Sequence, residues 1–158
     1  MVADDFDGDN KLDIIINTND FGTEVSTGRY DALNGLVLKG NGDGTFTTLS
    51  ILQSGIYISG NGKALVKLRG KNGKYLIAAG QNRGPLKIFE LKKNINTIPV
   101  QANEVSAQVK YKNGLTQKQE FYYGNSFLSQ SARFLNIDSN VVSVTIFDSK
   151  GRARKINF

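Results

Sequence analysis

The chain has 158 residues, which is enough for one domain of ordinary size or two small ones. It contains no Cys and no His, so it lacks a disulfide framework, a thiol nucleophile and the commonest general base, and we expect no enzyme activity. Glycine-rich turns between β-branched and aromatic runs predict an all-β protein, since no stretch repeats apolar residues at helical spacing. No apolar run is long enough to predict a membrane span, and the N-terminus does not resemble a signal peptide.

The formal net charge of +6 is unevenly distributed along the chain. Residues 1–31 carry eight acidic side chains against Lys11 and Arg29, a net charge of −6, so the remaining residues carry +12. The basic residues of that remainder are scattered, and near the C-terminus they alternate with other residues, as on the solvated face of a strand. Nucleic-acid binding is typically marked by clustered basic residues, so we expect no nucleic-acid partner.

The most informative segment is an acidic loop that follows a first predicted strand, residues 2–5. Its carboxylates fall at alternate positions and then at one later position: Asp5, Asp7, Asp9 and Asp13. Gly8 and Asn10 lie between them and tolerate the positive φ of a tight loop. Acidic side chains this close repel one another unless a hard cation with several oxygen ligands lies among them, and Ca²⁺ is the usual one. We predict a Ca²⁺ site formed by the four Asp side chains and the backbone carbonyl of Lys11; an acidic solvated turn is the alternative.

The acidic loop is followed by a predicted strand and then by a glycine-rich hairpin. The loop is not an EF-hand, because Ile16, inside the predicted strand of residues 13–18, replaces the closing Glu. The turn N-G-D-G-T-F of residues 41–46 joins two further strands predicted within residues 35–52. A short calcium loop between strands, with such a hairpin, resembles the FG-GAP/VCBS repeat, the blade unit of integrin-type β-propellers. The resemblance implies that residues 1–62 form one blade with its calcium loop.

The first segment has a weak repeat 62 residues further along the chain. The second segment retains the turn and strand residues of the first. Gly8, Asn10 and Gly22 align with Gly70, Asn72 and Gly84, and the apolar residues 14–16 align with residues 76–78. The acidic residues do not persist, since Asp5, Asp7, Asp9 and Asp13 fall on Lys67, Arg69, Lys71 and Tyr75. Matched spacing favours a true repeat over chance similarity. We predict a degenerate second blade over residues 63–92, with strands at 64–69, 75–79 and 86–91, packed beside the first blade and without an ion.

The remaining residues differ in pattern. Residues 93–103 are polar and are the predicted linker to a C-terminal domain, residues 104–158. Two hairpins are predicted in that domain: residues 105–111 with 117–123, and 141–147 with 152–158. Between them, G-N-S-F-L-S-Q-S at residues 124–131, together with S-K-G-R at 149–152, resembles the signature of the ASPIC/UnbV domain. Residues 138–140 and 147–148 depart from the usual family motifs, so the resemblance implies a divergent member. The predicted architecture is a partial propeller of β-propeller-type blades plus a small antiparallel β domain.

Two groups of side chains in the C-terminal domain have two interpretations each. Ser126, Ser129, Gln130 and Ser131 could hydrogen-bond a sugar or a peptide, but we favour a structural role in satisfying backbone groups. Aromatic residues could form a platform for carbohydrate, although they are more often half-buried strand positions: Tyr111, Tyr122, Tyr123 and Phe127. No ligand-binding residue is assigned from the sequence.

The resemblance implies a secreted or cell-surface protein. We expect a calcium-stabilised binding or adhesion module at the C-terminal end of a larger propeller protein, with its export signal upstream and a protein or glycan as ligand. The alternative is a non-catalytic accessory part of a polysaccharide-acting enzyme. Two blades cannot close a propeller, which needs about four to eight, and open sheet edges invite pairing. We therefore expect either self-association through exposed sheet edges or packing of residues 1–92 against 104–158.

Overall fold

The structure, a computed structural model, describes residues 1–92, 96–124 and 129–158. The fold is all-β, as predicted, with 48% of residues in strands and 5% in helices. Thirteen strands form four antiparallel sheets, none of which closes on itself in these described ranges. The chain divides into two compact units. Unit 1 comprises Met1–Asn94 and Gly124–Ala132, and unit 2 comprises Ile95–Tyr123 and Arg133–Phe158. Unit 1 thus takes in a stretch that the sequence prediction assigns to the C-terminal domain.

The first sheet of unit 1 is a four-stranded meander in the order β1-β2-β3-β4. Its strands are β1 Val2–Asp4, β2 Asp13–Ile16, β3 Leu36–Gly40 and β4 Phe46–Leu49. Val2, Ile15 and Val37 are buried and lie side by side across the ladder, because Ile15 pairs with both of the others. A slip of one residue would turn this apolar row towards solvent, so the alternation of apolar residues sets the register. The N-G-D-G-T-F turn joins β3 to β4, as predicted.

A single-turn helix, α1 Ile51–Ser54, follows β4. The backbone N–H of Gln53 donates to the Ser50 side chain, and the Ser50 N–H donates to the Gln53 side chain, which makes a capping box. Gly55 then ends the helix in the left-handed conformation. The predicted hairpin was extended to residue 52, and this end of the prediction is wrong. The capping residues on both sides favour a helical turn here, although the apolar pair Ile51-Leu52 that opens the helix is also compatible with a strand.

The second sheet of unit 1 has three strands in the order β5-β6-β7. They are β5 Gly62–Arg69, β6 Tyr75–Gln81 and β7 Lys87–Glu90, each within two residues of its predicted bounds. A short 3-10 turn, Lys71–Gly73, joins β5 to β6. Five residues separate these two strands, whereas eight separate β1 from β2. The β5–β6 connection is therefore shorter than the acidic loop with which the predicted repeat aligns it.

Unit 2 is built from two antiparallel sheets. One has the strand order β10-β9-β12-β13 and the other pairs β8 with β11. The strands are β8 Asn96–Pro99, β9 Glu104–Tyr111, β10 Thr116–Glu120, β11 Phe134–Ile137, β12 Val141–Asp148 and β13 Ala153–Asn157. The predicted hairpins correspond to β9–β10 and β12–β13, whereas β8 lies inside the predicted linker of residues 93–103. The core side chains come from both sheets: Ala107, Val109, Tyr111, Leu135, Ile137, Val141, Val144 and Ile146.

Within the described ranges, no helix has both the length and the apolar character needed to cross a membrane.

Candidate metal centre

The loop between β1 and β2 is organised around the side chain of Asp5. Its carboxylate accepts hydrogen bonds from the backbone N–H groups of Gly8 and Asn10, the latter at 2.9 Å. Gly8 has φ 75° and Asn10 has φ 65°, so both occupy the left-handed region that Gly and Asn tolerate best. These two conformations fold the loop back over the Asp5 carboxylate. The sequence prediction named the same two residues as the flexible positions.

Asp13 fixes the other end of the loop. Its side chain is buried, and its two oxygens accept hydrogen bonds from the Phe6 N–H at 3.0 Å and the Gly40 N–H at 2.9 Å. Gly40 is the last residue of β3, where a side chain would clash because a Cβ would lie 2.2 Å from the Leu12 carbonyl oxygen. Asp13 thus holds the loop against β3 through backbone contacts that do not depend on an ion.

Three of the four predicted carboxylates come together. One oxygen each from Asp5, Asp7 and Asp13 lies within 4.8 Å of the others, and this is the one such group of three acidic side chains in the described ranges. Burial raises the pKa of Asp5, opposed by hydrogen bonds from the Asn10 and Gly8 backbone N–H groups. The negative charges of Asp7 and Asp9 raise it further. A donor set of carboxylate oxygens fits a hard cation, which would relieve this repulsion.

Asp9, the fourth predicted acid, lies outside that group of three. Burial acts to raise the pKa of Asp9, but the ammonium of Lys39 and the backbone N–H of Lys11 outweigh it, and the pKa falls. The Lys39 ammonium lies 3.1 Å from an Asp9 oxygen and also pairs with Asp7. These two contacts raise the pKa of Lys39, Asp7 having the larger effect. The Lys11 carbonyl, the fifth predicted ligand, stays a prediction.

Lys39 was missed by the sequence prediction. It belongs to β3, far from the loop in sequence, and the β2–β3 pairing of Ile14 with Leu38 places it beside the acidic residues. No local pattern marks it, because only the strand register brings it there. Its ammonium group neutralises part of the acidic loop, so a metal ion would compete with this lysine for Asp7.

The predicted degenerate repeat has a lysine, Lys67, at the position that aligns with Asp5, and this lysine pairs with the neighbouring Asp4. The Lys67 ammonium lies 2.7 Å from the Asp4 carboxylate, and the Tyr75 hydroxyl donates to the same carboxylate at 3.0 Å. Burial raises the pKa of Tyr75 far above its usual range, with the Asp4 charge adding to the effect. The Tyr75 ring also meets Phe6 edge to face at 5.8 Å. The predicted repeat aligns Lys67 and Tyr75 with Asp5 and Asp13, and both side chains contact Asp4 at the end of β1.

The Ser-Gln-Ser stretch makes backbone contacts in its described part. The Ser131 hydroxyl accepts a hydrogen bond from the Lys67 N–H at 3.1 Å, and the Ala132 N–H donates to the Lys67 carbonyl at 2.8 Å. The Gln130 side chain bonds the Ser131 carbonyl and the Gly124 N–H. These hydrogen bonds satisfy backbone groups, which is the structural role favoured for this stretch from the sequence. Ser126 lies outside the described residues.

The aromatic residues that could form a carbohydrate platform lie in different environments. Tyr111 is buried in the core of unit 2, and its hydroxyl donates to Gln117 at 2.9 Å, so it cannot stack against a ligand. Tyr122 and Tyr123 are exposed, and the guanidinium of Arg133 lies 4.2 Å from the centre of the Tyr123 ring. Phe127, the fourth member, lies outside the described residues.

Comparison with protein-family models, with curated proteins and with solved structures found no match to this chain.

Proposed function

We propose that the protein is a calcium-stabilised, non-enzymatic binding module, with Asp5, Asp7, Asp9, Asp13 and the Lys11 carbonyl around one Ca²⁺. The observation that carries the proposal is the convergence of three carboxylate oxygens from Asp5, Asp7 and Asp13 within 4.8 Å. Asp5 and Asp13 are held by backbone N–H groups, so two of the ligands are positioned before any ion arrives. Bound Ca²⁺ would supply the positive charge that this arrangement otherwise lacks on the Asp5 side.

The proposed architecture is a pair of propeller-type blades followed by a divergent ASPIC/UnbV-like domain. The four-stranded antiparallel meander β1–β4 has the strand number and connectivity of a propeller blade, which supports this assignment. The β5–β6–β7 meander supports a second blade that has lost its calcium loop. The module would belong to a larger secreted or cell-surface protein, with a protein or glycan as ligand.

Calcium titration of the full chain tests the proposal. We expect heat in calorimetry and a higher melting temperature with Ca²⁺, because an ion that binds the folded state alone stabilises it by about 2.7 kcal/mol at a hundredfold excess over Kd. Asp7→Asn removes one ligand charge from an exposed side chain and should abolish both effects while the protein stays folded.

Asp31→Asn is the matched control, because Asp31 is exposed and forms no hydrogen bond or ion pair within the described residues. It should bind Ca²⁺ as the parent does. No heat with Ca²⁺ and no change in melting with a chelator would contradict the proposal, as would equal loss of binding in both variants.

A further inference from the structure

A cleft of about 540 Å³ lies within unit 1, away from the acidic loop. Its walls come from three segments: the connection after β2, residues 59–61, and residues 81–85. Phe21 and Gly22 follow β2, and residues 81–85 begin at the end of β6, so that Gly22 and its counterpart Gly84 both line the same cleft. Two positions that the sequence repeat aligns thus lie at one cleft. The volume is in the range of small-ligand sites, about 300–1,000 Å³.

Asn61 ties the two walls together. Its side chain is largely buried, and its side-chain oxygen accepts a hydrogen bond from the Phe21 N–H at 3.2 Å. Its backbone carbonyl accepts one from the Asn82 N–H at 2.8 Å. The Gln81 amide is also fixed, since it donates to the Pro85 carbonyl at 2.8 Å. The cleft is thus held by hydrogen bonds inside unit 1 and does not depend on the metal centre.

Among the described residues, two guanidinium groups line this cleft and no carboxylate does. Neither Arg29 nor Arg83 forms an ion pair or hydrogen bond with any part of the chain that the structure describes. The Arg29 guanidinium stacks over the Phe21 ring at 5.1 Å, which positions it at the cleft. The nearby Asp20 carboxylate does not compensate them, because it is already bound by Lys63 at 2.7 Å and by the Gly22 N–H.

Arg83 also has an unusual backbone. Its φ of 56° lies in the left-handed region, where the other described residues besides Gly are Asn10 and Asn72. Asn tolerates this conformation because its short side chain bonds locally, whereas Arg gains no such compensation. A strained residue of this kind often marks a functional site. Here the strain coincides with a cationic side chain at the cleft.

We propose that this cleft binds a carboxylate-bearing sugar, with Arg29 and Arg83 holding the carboxylate. Guanidinium groups pair with carboxylates through two parallel hydrogen bonds. The side-chain amide of Asn82 and the side-chain oxygen of Gln81 make no hydrogen bond within the described residues, so they offer donors and acceptors that sugar hydroxyls can use and that a free anion without hydroxyls would leave unused. The inference rests on the proposed binding role and names its ligand class.

Calorimetry of the full chain with trigalacturonic acid tests the inference. The titration is done with a chelator and without Ca²⁺, because carboxylates bind that ion themselves. We expect measurable heat with the acid trimer and none with its methyl ester, in which the carboxylates are neutral. Arg29→Gln and Arg83→Gln should each weaken binding about tenfold or more, the fold-change that corresponds to about 1.4 kcal/mol.

Lys71→Gln is the matched control, since it removes one positive charge from an exposed residue of unit 1 outside the cleft. It should bind the acid trimer as the parent does. An equal loss in this control, equal binding of a hexaglutamate peptide, or no heat with the acid trimer would each overturn the inference. Heat with the trimer but none with Ca²⁺ would reject the calcium proposal alone, and the reverse result would reject this inference alone.

Discussion

Among single residues, Asp4 is the clearest example of a buried charge that a distant part of unit 1 compensates. Asp4 is buried beside the acidic loop and would be a costly charge if it were left unpaired. Lys67 supplies the positive charge and Tyr75 a hydroxyl, and the predicted repeat aligns these two residues with Asp5 and Asp13. These two contacts join the β5–β6 hairpin to the β1–β2 hairpin through Asp4.

Lys67→Met should destabilise unit 1 by about 3 kcal/mol, because it leaves the Asp4 carboxylate buried without its cation. Urea unfolding of the full chain measures this loss. Lys63→Met in the same strand is the control, since the Lys63–Asp20 pair is exposed on both sides and should contribute less than about 1 kcal/mol. Adding Asp4→Asn to Lys67→Met should recover part of the loss. Equal effects of the two lysine substitutions would show that the buried pair does not stabilise the fold.

At the scale of elements, Asn10 and Asn72 occupy equivalent places in two different turns. Both have left-handed backbones, with φ of 65° and 61°, although one turn is acidic and the other basic. Val at either position should cost about 1–2 kcal/mol, whereas Gly should be tolerated. Asn72→Val should leave calcium binding unchanged and Asn10→Val should weaken it, because the Asn10 N–H holds Asp5. Denaturant unfolding and calcium calorimetry on both Val variants check this, and intact calcium affinity in Asn10→Val would contradict it.

Most of the strands could be predicted because their boundaries are set locally. Asn113-Gly114 fixes the β9–β10 hairpin, and the Gly-rich turns fix β3–β4, so the chain near each turn contains the information. Strands β8 and β11 were missed because both are short and exist through their pairing with each other, and β8 is also polar and contains Pro99. Long-range pairing also places Lys39 at the acidic loop, so local sequence predicted the acids of the site and not their basic neighbour.

Glu104 connects elements of unit 2 and gives that unit a pH dependence. Its two oxygens pair with the Arg154 guanidinium at 2.8 and 2.9 Å, and this hydrogen bonding holds the pKa of Glu104 below its usual 4.5. Because the pKa of Glu104 is lower in the folded state, its ionised carboxylate stabilises the fold above pH 4.5. This stabilisation is lost as the pH falls through the pKa that Glu104 has in the folded protein.

Glu104→Gln should therefore cost about 1 kcal/mol at neutral pH and little below pH 4. Melting temperatures between pH 3 and pH 7 measure the difference between the variant and the parent. Glu120→Gln is the control, because Glu120 and its partner Lys118 are exposed. A difference between Glu104→Gln and the parent that stays constant across this pH range would show that the ion pair is not its source.

At the scale of the whole molecule, the two units have separate sources of stability. The core cluster of unit 2 is formed by residues of that unit, whereas the acidic loop makes its described contacts inside unit 1. Asp13 links the loop to β3, and Asp4 beside it links β1 to β5 and β6. A ligand at the loop would thus stabilise strands of both sheets of unit 1.

Hydrogen exchange of the full chain with and without Ca²⁺ should show this division. We expect β1, β2, β3 and β5 to gain protection, by up to about a hundredfold when Ca²⁺ is a hundredfold above Kd, because exchange through opening of unit 1 then requires loss of the ion. Strands β9 and β12 of unit 2 should exchange at unchanged rates. Asp7→Asn should remove the gain in unit 1 while its exchange without Ca²⁺ stays close to that of the parent. Equal protection of both units by Ca²⁺, or the same gain in Asp7→Asn, would show that calcium acts elsewhere than at the acidic loop.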